Sequence, residues 1–361
     1  MIGIKKRLTI FGATAFFGAT GIIASTASSA SAQPKQITYQ PTSTWSNVGP
    51  TPHFSGVDIA LHKVFVSNLA AGTVTVLNSD SGQVISTIAL GGTVHTVMVD
   101  QQNQRVYVTD IARGLLDVIN AKSDSLITEI PVAAHLHGLA VSQRLHEAFV
   151  TDISLSKVYA ININNDTVID PQGISVGPNP WGVTVDPWTR MVYVSNTGIN
   201  PFAATPTNPQ GINPAGDSVS VINLRTMTVV STIVVGPHPW NVVADPYNNT
   251  VYTGISAANE VAVLRDGSVI ADIPVGTSPH GETLDPKKGY LFVNNSLSNN
   301  VTLIDTKSNA VLQTIPVGTQ PQGISVNTKT GNAYVVNQGS ASITVLSPVS
   351  APHPPHRPRN S

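Results

Sequence analysis

The chain has 361 residues, 19 Lys plus Arg against 20 Asp plus Glu, and a formal net charge of −1; only 11% of residues are charged. That balance argues against a nucleic-acid partner, because phosphate binding needs clustered cations. Cysteine is absent, which excludes disulfides, thiolate metal sites, iron–sulfur clusters and a cysteine nucleophile.

Residues 1–32 read as a signal peptide. Lys5, Lys6 and Arg7 form a positive region, an apolar run follows from Leu8 to about Ala24, and Ala30-Ser31-Ala32 fits a cleavage site before Gln33. The run is broken by Gly12, Gly18 and Gly21, so it is a poor membrane anchor. No later stretch is apolar enough to span a bilayer. The expected location is periplasmic or secreted, with no membrane span after processing.

From Val48 onward the chain repeats. A Val-Gly-like pair opens units at Val48, Leu90, Val132, Val176, Val235, Val275 and Val317, at intervals of 42, 42, 44, 59, 40 and 42 residues. Seventeen positions after each start stands an aromatic residue: Phe65, Tyr107, Phe149, Tyr193, Tyr252, Phe292 and Tyr334. Within unit 6, Glu282–Leu284, Tyr290–Asn294, Val301–Asp305 and Ala310–Ile315 read as four short strands separated by turn residues. A period near 40 residues with four strands indicates a propeller blade. The predicted fold is all-β: a seven-bladed β-propeller of four-stranded antiparallel blades over residues 48–348. Unit 7 lacks a fourth strand of its own, so residues 33–47 are expected to supply it and close the ring. Residues 349–361 are expected to be a disordered Pro-rich tail.

The tetrads Phe65-Val66-Ser67-Asn68, Tyr107-Val108-Thr109-Asp110, Tyr193-Val194-Ser195-Asn196 and Tyr334-Val335-Val336-Asn337 resemble the YVTN β-propeller repeat. Unit 5 departs from it with Tyr252-Thr253-Gly254-Ile255. The family mixes surface-layer, periplasmic and cofactor-bearing proteins, so the resemblance implies the fold and leaves the function open.

Antiparallel strands place the loop into the first strand and the loop between the second and third strands on one face. Three features fall there. At the fifth offset stand His53, His95, His137, Trp181, Trp240, His280 and Gln322, at the expected mouth of the central channel. Neutral imidazole suits divalent transition metals, so His53, His95, His137 and His280 are candidate metal ligands. Trp181, Trp240 and Gln322 are candidate ligand-binding residues. The same histidines also suit a rim that only hydrogen-bonds the loops. In geometry, four axial histidines resemble the iron site of carotenoid-cleaving propellers and the copper propeller of nitrous oxide reductases, without the sequence pattern of either. Glu282 stands at the seventh offset, otherwise mostly apolar, two residues from His280. Alternation would put both on one side of a strand, making Glu282 a candidate general base. Finally, unit 4 carries an insertion, 197–217, with Pro201, Pro206, Pro209 and Pro214, of a length common in binding loops and lids.

Two functions remain open. One is an exported monomeric propeller that binds a small molecule, or an extracellular protein or peptide, at the His/Trp-lined mouth. The other is a metal-dependent enzyme (a lyase, a lactonase or an oxygen-using enzyme) with an ion in the channel. No lactonase or streptogramin-lyase motif, catalytic triad, P-loop or dinucleotide fingerprint is present.

Overall fold

The repeats fold into antiparallel sheets, and in six of the seven the strands follow chain order from the axis outward. In blade 1 these are Pro52–Asp58, Lys63–Asn68, Thr73–Asn78 and Val84–Ala89. A computed structural model describes residues 37–349 apart from 204, 206, 207, 209 and 210. It contains seven such sheets. The signal peptide expected over residues 1–32, the start of the closing segment and residues 350–361 lie outside the described residues. Among the described residues no helix is long and apolar enough to cross a membrane.

The ring closes with an N-terminal strand. Thr38–Trp45 pairs antiparallel with Ser342–Val349, outside Ala333–Asn337 and Pro321–Val326. Tyr39 locks this closure: it is almost fully buried, and its ring meets Phe292 edge-on at 5.0 Å between centroids. The last strand runs to Val349, paired with Thr38, one residue into the segment expected to be unfolded. In blade 3 the fourth strand is split into Thr167–Val168 and Ile174–Ser175. Pro171 stands in the gap and has no N–H to give a ladder.

The core is divided among the blade interfaces, each with its own cluster of buried apolar side chains. The recurrent aromatics explain this. Phe65, Tyr107, Phe149, Tyr252, Phe292 and Tyr334 are all essentially inaccessible, and each such burial stabilises by roughly 2–3 kcal/mol. A blade alone would expose these faces, so the sheets are stable only as neighbours.

Polar repeats hold the loops. Asp58, Asp100, Asp186, Asp245 and Asp285 accept backbone N–H bonds in the turn after the innermost strand. Asn68, Asn196, Asn295 and Asn337 are fully buried and donate to hydroxyls on the third strand of their own blade. A further residue latches one blade to the next. Ser67, Thr109, Thr151 and Ser195 hydroxyls donate to the carbonyls of His95, His137, Trp181 and Trp240 on the following blade. In blade 6, Asn294 does the same toward the Gln322 carbonyl. In blade 5 the equivalent residue is Gly254, which has no side chain to latch.

Candidate functional site

All seven innermost strands carry a β-bulge between their fourth and seventh offsets, as at Pro52/Ser55 and Pro279/Glu282. A bulge re-aims the side chains beside it. Here it turns the fifth-offset residues toward the axis. Their rings form a closed circuit. Centroid separations run His53–His95 4.5 Å, His95–His137 4.1 Å, His137–Trp181 3.8 Å, Trp181–Trp240 4.3 Å, Trp240–His280 5.0 Å and His280–His53 5.9 Å. Gln322 completes the seventh position, partly buried. All four histidines are buried, so they form a packed layer across the channel.

The hydrogen bonds within this layer run in one direction. The Gln338 amide nitrogen donates to His53 Nδ1 at 3.1 Å, which leaves the His53 proton on Nε2. That nitrogen faces His95 Nε2 at 3.0 Å, so His95 carries its proton on Nδ1, 3.0 Å from the Thr96 hydroxyl. Thr96 in turn donates to the His137 carbonyl. The chain is complete only with both rings neutral. Burial first, and then mutual repulsion, holds His53, His95 and His137 well below the ordinary imidazole range. Burial lowers His280 to about 4.

Phe54 seals the layer. Its ring lies 5.3 Å from His95 and 6.4 Å from His280, reaching between two sides of the circuit. The signal for it was present in the sequence. At the sixth offset four units have glycine (Gly138, Gly182, Gly281, Gly323), and Phe54 stands out. The glycines are demanded by close approach of neighbouring inner strands: a Cβ on Gly138 would strike the Trp181 carbonyl, and one on Gly281 the Gln322 carbonyl. Gln338, which fixes the His53 tautomer, lies in the loop after the second strand of blade 7 and follows no repeat pattern.

Glu282 does not pair with His280. The bulge between Pro279 and Glu282 breaks the two-residue alternation on which that expectation rested. The side chain packs instead toward blade 5, where a Cβ on Gly254 would collide with Glu282 Oε1. Gly254 and Glu282 are therefore one feature: the missing latch residue leaves the space that the carboxyl fills. Glu282 is 4% exposed, and neither carboxyl oxygen makes a well-formed hydrogen bond. Burial pushes its pKa up to about 8, over the opposing pull of the Gly254 N–H and the Asn241 amide. At neutral pH it is a neutral acid.

Beneath the aromatic layer the channel holds a cavity of about 360 Å³. Its walls are mostly apolar, among them Met98, Val99, Val185 and Leu284, with Thr184, Asn241 and Ser325 as polar points. Phe54 forms its closed end, and Thr328, in the turn after the innermost strand of blade 7, marks the opposite face. The roomy part of the channel thus lies below the histidines.

Among the described residues no group of three or more His, Asp or Glu side chains is disposed to hold a metal ion. Zinc-type coordination needs nitrogens converging to about 2.0–2.1 Å from one point, whereas these imidazoles pack ring against ring. The inserted loop lies on the histidine face. Its Phe202 stacks on His135 of blade 3 at 4.0 Å and 24°, and its base is tied by Thr197 to the Asn179 carbonyl.

No family model and no curated protein matches the chain. Among many solved structures that match, a chain of Kuenenia stuttgartiensis hydrazine synthase superposes with a TM-score of 0.69 at 17% identity, over 85% of this chain and 97% of that one. At that identity the likeness is one of propeller fold alone.

Proposed function

We propose that the chain is an exported β-propeller that binds a small molecule in its central channel, with Phe54 and the His/Trp layer as the closed end of the site. The observation that carries this reading is the cavity below that layer. Its 360 Å³ falls in the range of small-molecule sites, which are apolar with a few placed polar groups. Trp181 and Trp240, only partly buried, and Gln322 would meet a partner on the outer side of the same layer. The charged, apolar and Ala-x-Ala sequence at the N-terminus supports export to the periplasm or beyond.

The catalytic alternative has two points in its favour: Glu282 lines the channel cavity, and burial raises its pKa to about 8, which suits an acid. Binding is the better supported of the two. His53 and His95 hydrogen-bond each other, the four rings pack side by side, and the Glu282 carboxyl packs against Gly254. Native mass spectrometry of the mature protein from its own host compartment tests the binding reading. A retained small-molecule mass, absent from a channel-filling Thr184→Trp variant, is the expected result. Wild-type protein with no retained species, or the same species in both proteins, would overturn it.

A further inference from the structure

A second site follows from a deletion in the repeat. In every other blade with its own third and fourth strands, four or five residues link the third to the fourth: 79–83, 121–124, 163–166, 224–227 and 306–309. The first of these residues tucks under the preceding blade. Ala121 joins the cluster of Phe65, Ile163 that of Tyr107, and Leu224 that of Phe149. The Tyr252 hydroxyl donates to the Thr306 carbonyl, and Tyr334 to that of Ser79. Phe65, Tyr107, Phe149, Tyr252 and Tyr334 are thereby covered from the next blade, and Phe292 is covered by Tyr39 of the closing strand.

Blade 5 is the exception. Its third and fourth strands, Glu260–Arg265 and Ser268–Pro274, are joined by Asp266 and Gly267 alone. Both residues have positive φ, 50° and 78°, as a tight two-residue hairpin requires. The turn carries no apolar side chain to lay over blade 4; burial raises the Tyr193 pKa, and the Asp266 carboxylate stands near enough to add to that rise. Tyr193, the aromatic that should be covered, is only partly buried, unlike its six counterparts. Beside it opens a pocket of about 220 Å³ walled by Met191, Val221, Ile233, Val251 and Leu264, with the hairpin at its rim. Trp188 and Tyr247, 61% and 67% exposed, stand in the two turns that supply the rim residues Thr189 and Asn249.

We propose that this gap between blades 4 and 5 is a binding site for a small molecule built on a single aromatic ring, separate from the central channel. The neighbouring interfaces show what fits there, an apolar group such as the side chain of Ile163 or Leu224 laid beside the recurrent aromatic. The volume sets the size. An apolar cavity of about 150 Å³ accepts benzene, so 220 Å³ accommodates one ring with a substituent. The Tyr193 hydroxyl supplies a polar contact for that substituent, and the exposed Tyr247 ring favours an aromatic approaching the mouth, the Trp188 ring being covered by the Arg144 guanidinium at 3.8 Å.

The test uses p-cresol as probe and the mature protein. Intermolecular NOEs from p-cresol to the Met191 methyl, saturating with concentration, are expected. Replacing Asp266-Gly267 with the four-residue turn of blade 4, Leu-Arg-Thr-Met, should supply the missing cover and abolish the NOEs, with an equal or higher thermal midpoint. Val221→Phe fills the same space from the other wall and should also abolish them, which keeps the test decisive if the turn replacement fails to fold. Absence of a saturable NOE in the wild type, or its persistence in a folded filled variant, would overturn the proposal.

Discussion

Replacing Glu282 with glutamine should change the pH dependence of stability. The carboxyl titrates near 4.5 when unperturbed and is pushed up to about 8 in the folded chain by burial. Between these values the folded protein holds a proton that the unfolded chain has released, so stability must fall as pH rises. A tenfold change in proton affinity corresponds to about 1.4 kcal/mol, giving a loss of about 3 kcal/mol by pH 7 and about 5 kcal/mol across the whole window. Glu282→Gln removes that proton and keeps the shape. Any fixed cost of the buried amide displaces the entire curve and leaves its slope unchanged. Urea unfolding at pH 5, 6, 7 and 8 measures the difference between the two proteins. The variant should gain on the wild type by up to about 1.4 kcal/mol per pH unit. The histidines act in the opposite sense, because their lowered folded values make stability fall below about pH 6.5, but they are common to both proteins and cancel. Parallel pH dependences would refute the placement of Glu282 as a buried neutral acid.

Further tests address the packing around this site. Gly254→Ser alone should destabilise the fold by about 2 kcal/mol through collision with Glu282, whereas Gly254→Ser with Glu282→Val, the combination that Ser195 of blade 4 and Val242 of blade 5 already present, should recover most of that loss; additive effects in a double-mutant cycle would contradict the coupling. Tyr39→Ala should cost about 3–5 kcal/mol and lower the thermal midpoint, because its buried ring holds the N-terminal strand against Phe292; an unchanged midpoint would mean that this contact does not secure the closure. Phe54→Ala should cost about 2 kcal/mol, the ring being partly buried, and should make Trp181 and Trp240 fluorescence more accessible to acrylamide; unchanged quenching would show that Phe54 does not seal the layer.

The architecture was legible because it is repeated. Seven aromatics at a constant offset and the turn residues around them marked the strands, and the missing fourth strand of unit 7 pointed to closure by the N-terminus. Grouping the fifth-offset histidines and tryptophans was also within reach of the sequence, since position along an inner strand fixes height along the axis. The sequence did not reveal how they meet. A bulge invisible in composition redirects the side chains, which made the alternation argument for His280 and Glu282 fail. Features tied to departures from the repeat were visible only as isolated oddities. Phe54 among glycines, Gly254 in a latch position, Glu282 among apolar residues and the short Asp266-Gly267 turn acquire meaning only when the facing blade is known. Gln338, in an irregular loop, carries no repeat signal at all.

The central claim is that four neutral, mutually packed imidazoles close the channel above the 360 Å³ cavity. Imidazole ¹⁵N NMR of the protein between pH 8 and pH 5, with and without added zinc, tests it most directly. The account predicts that His53 keeps its proton on Nε2 and His95 on Nδ1, that none of the four rings titrates in this range, and that zinc leaves their resonances unchanged. Titration near pH 6.5, or zinc-dependent changes shared by His53, His95, His137 and His280, would contradict it.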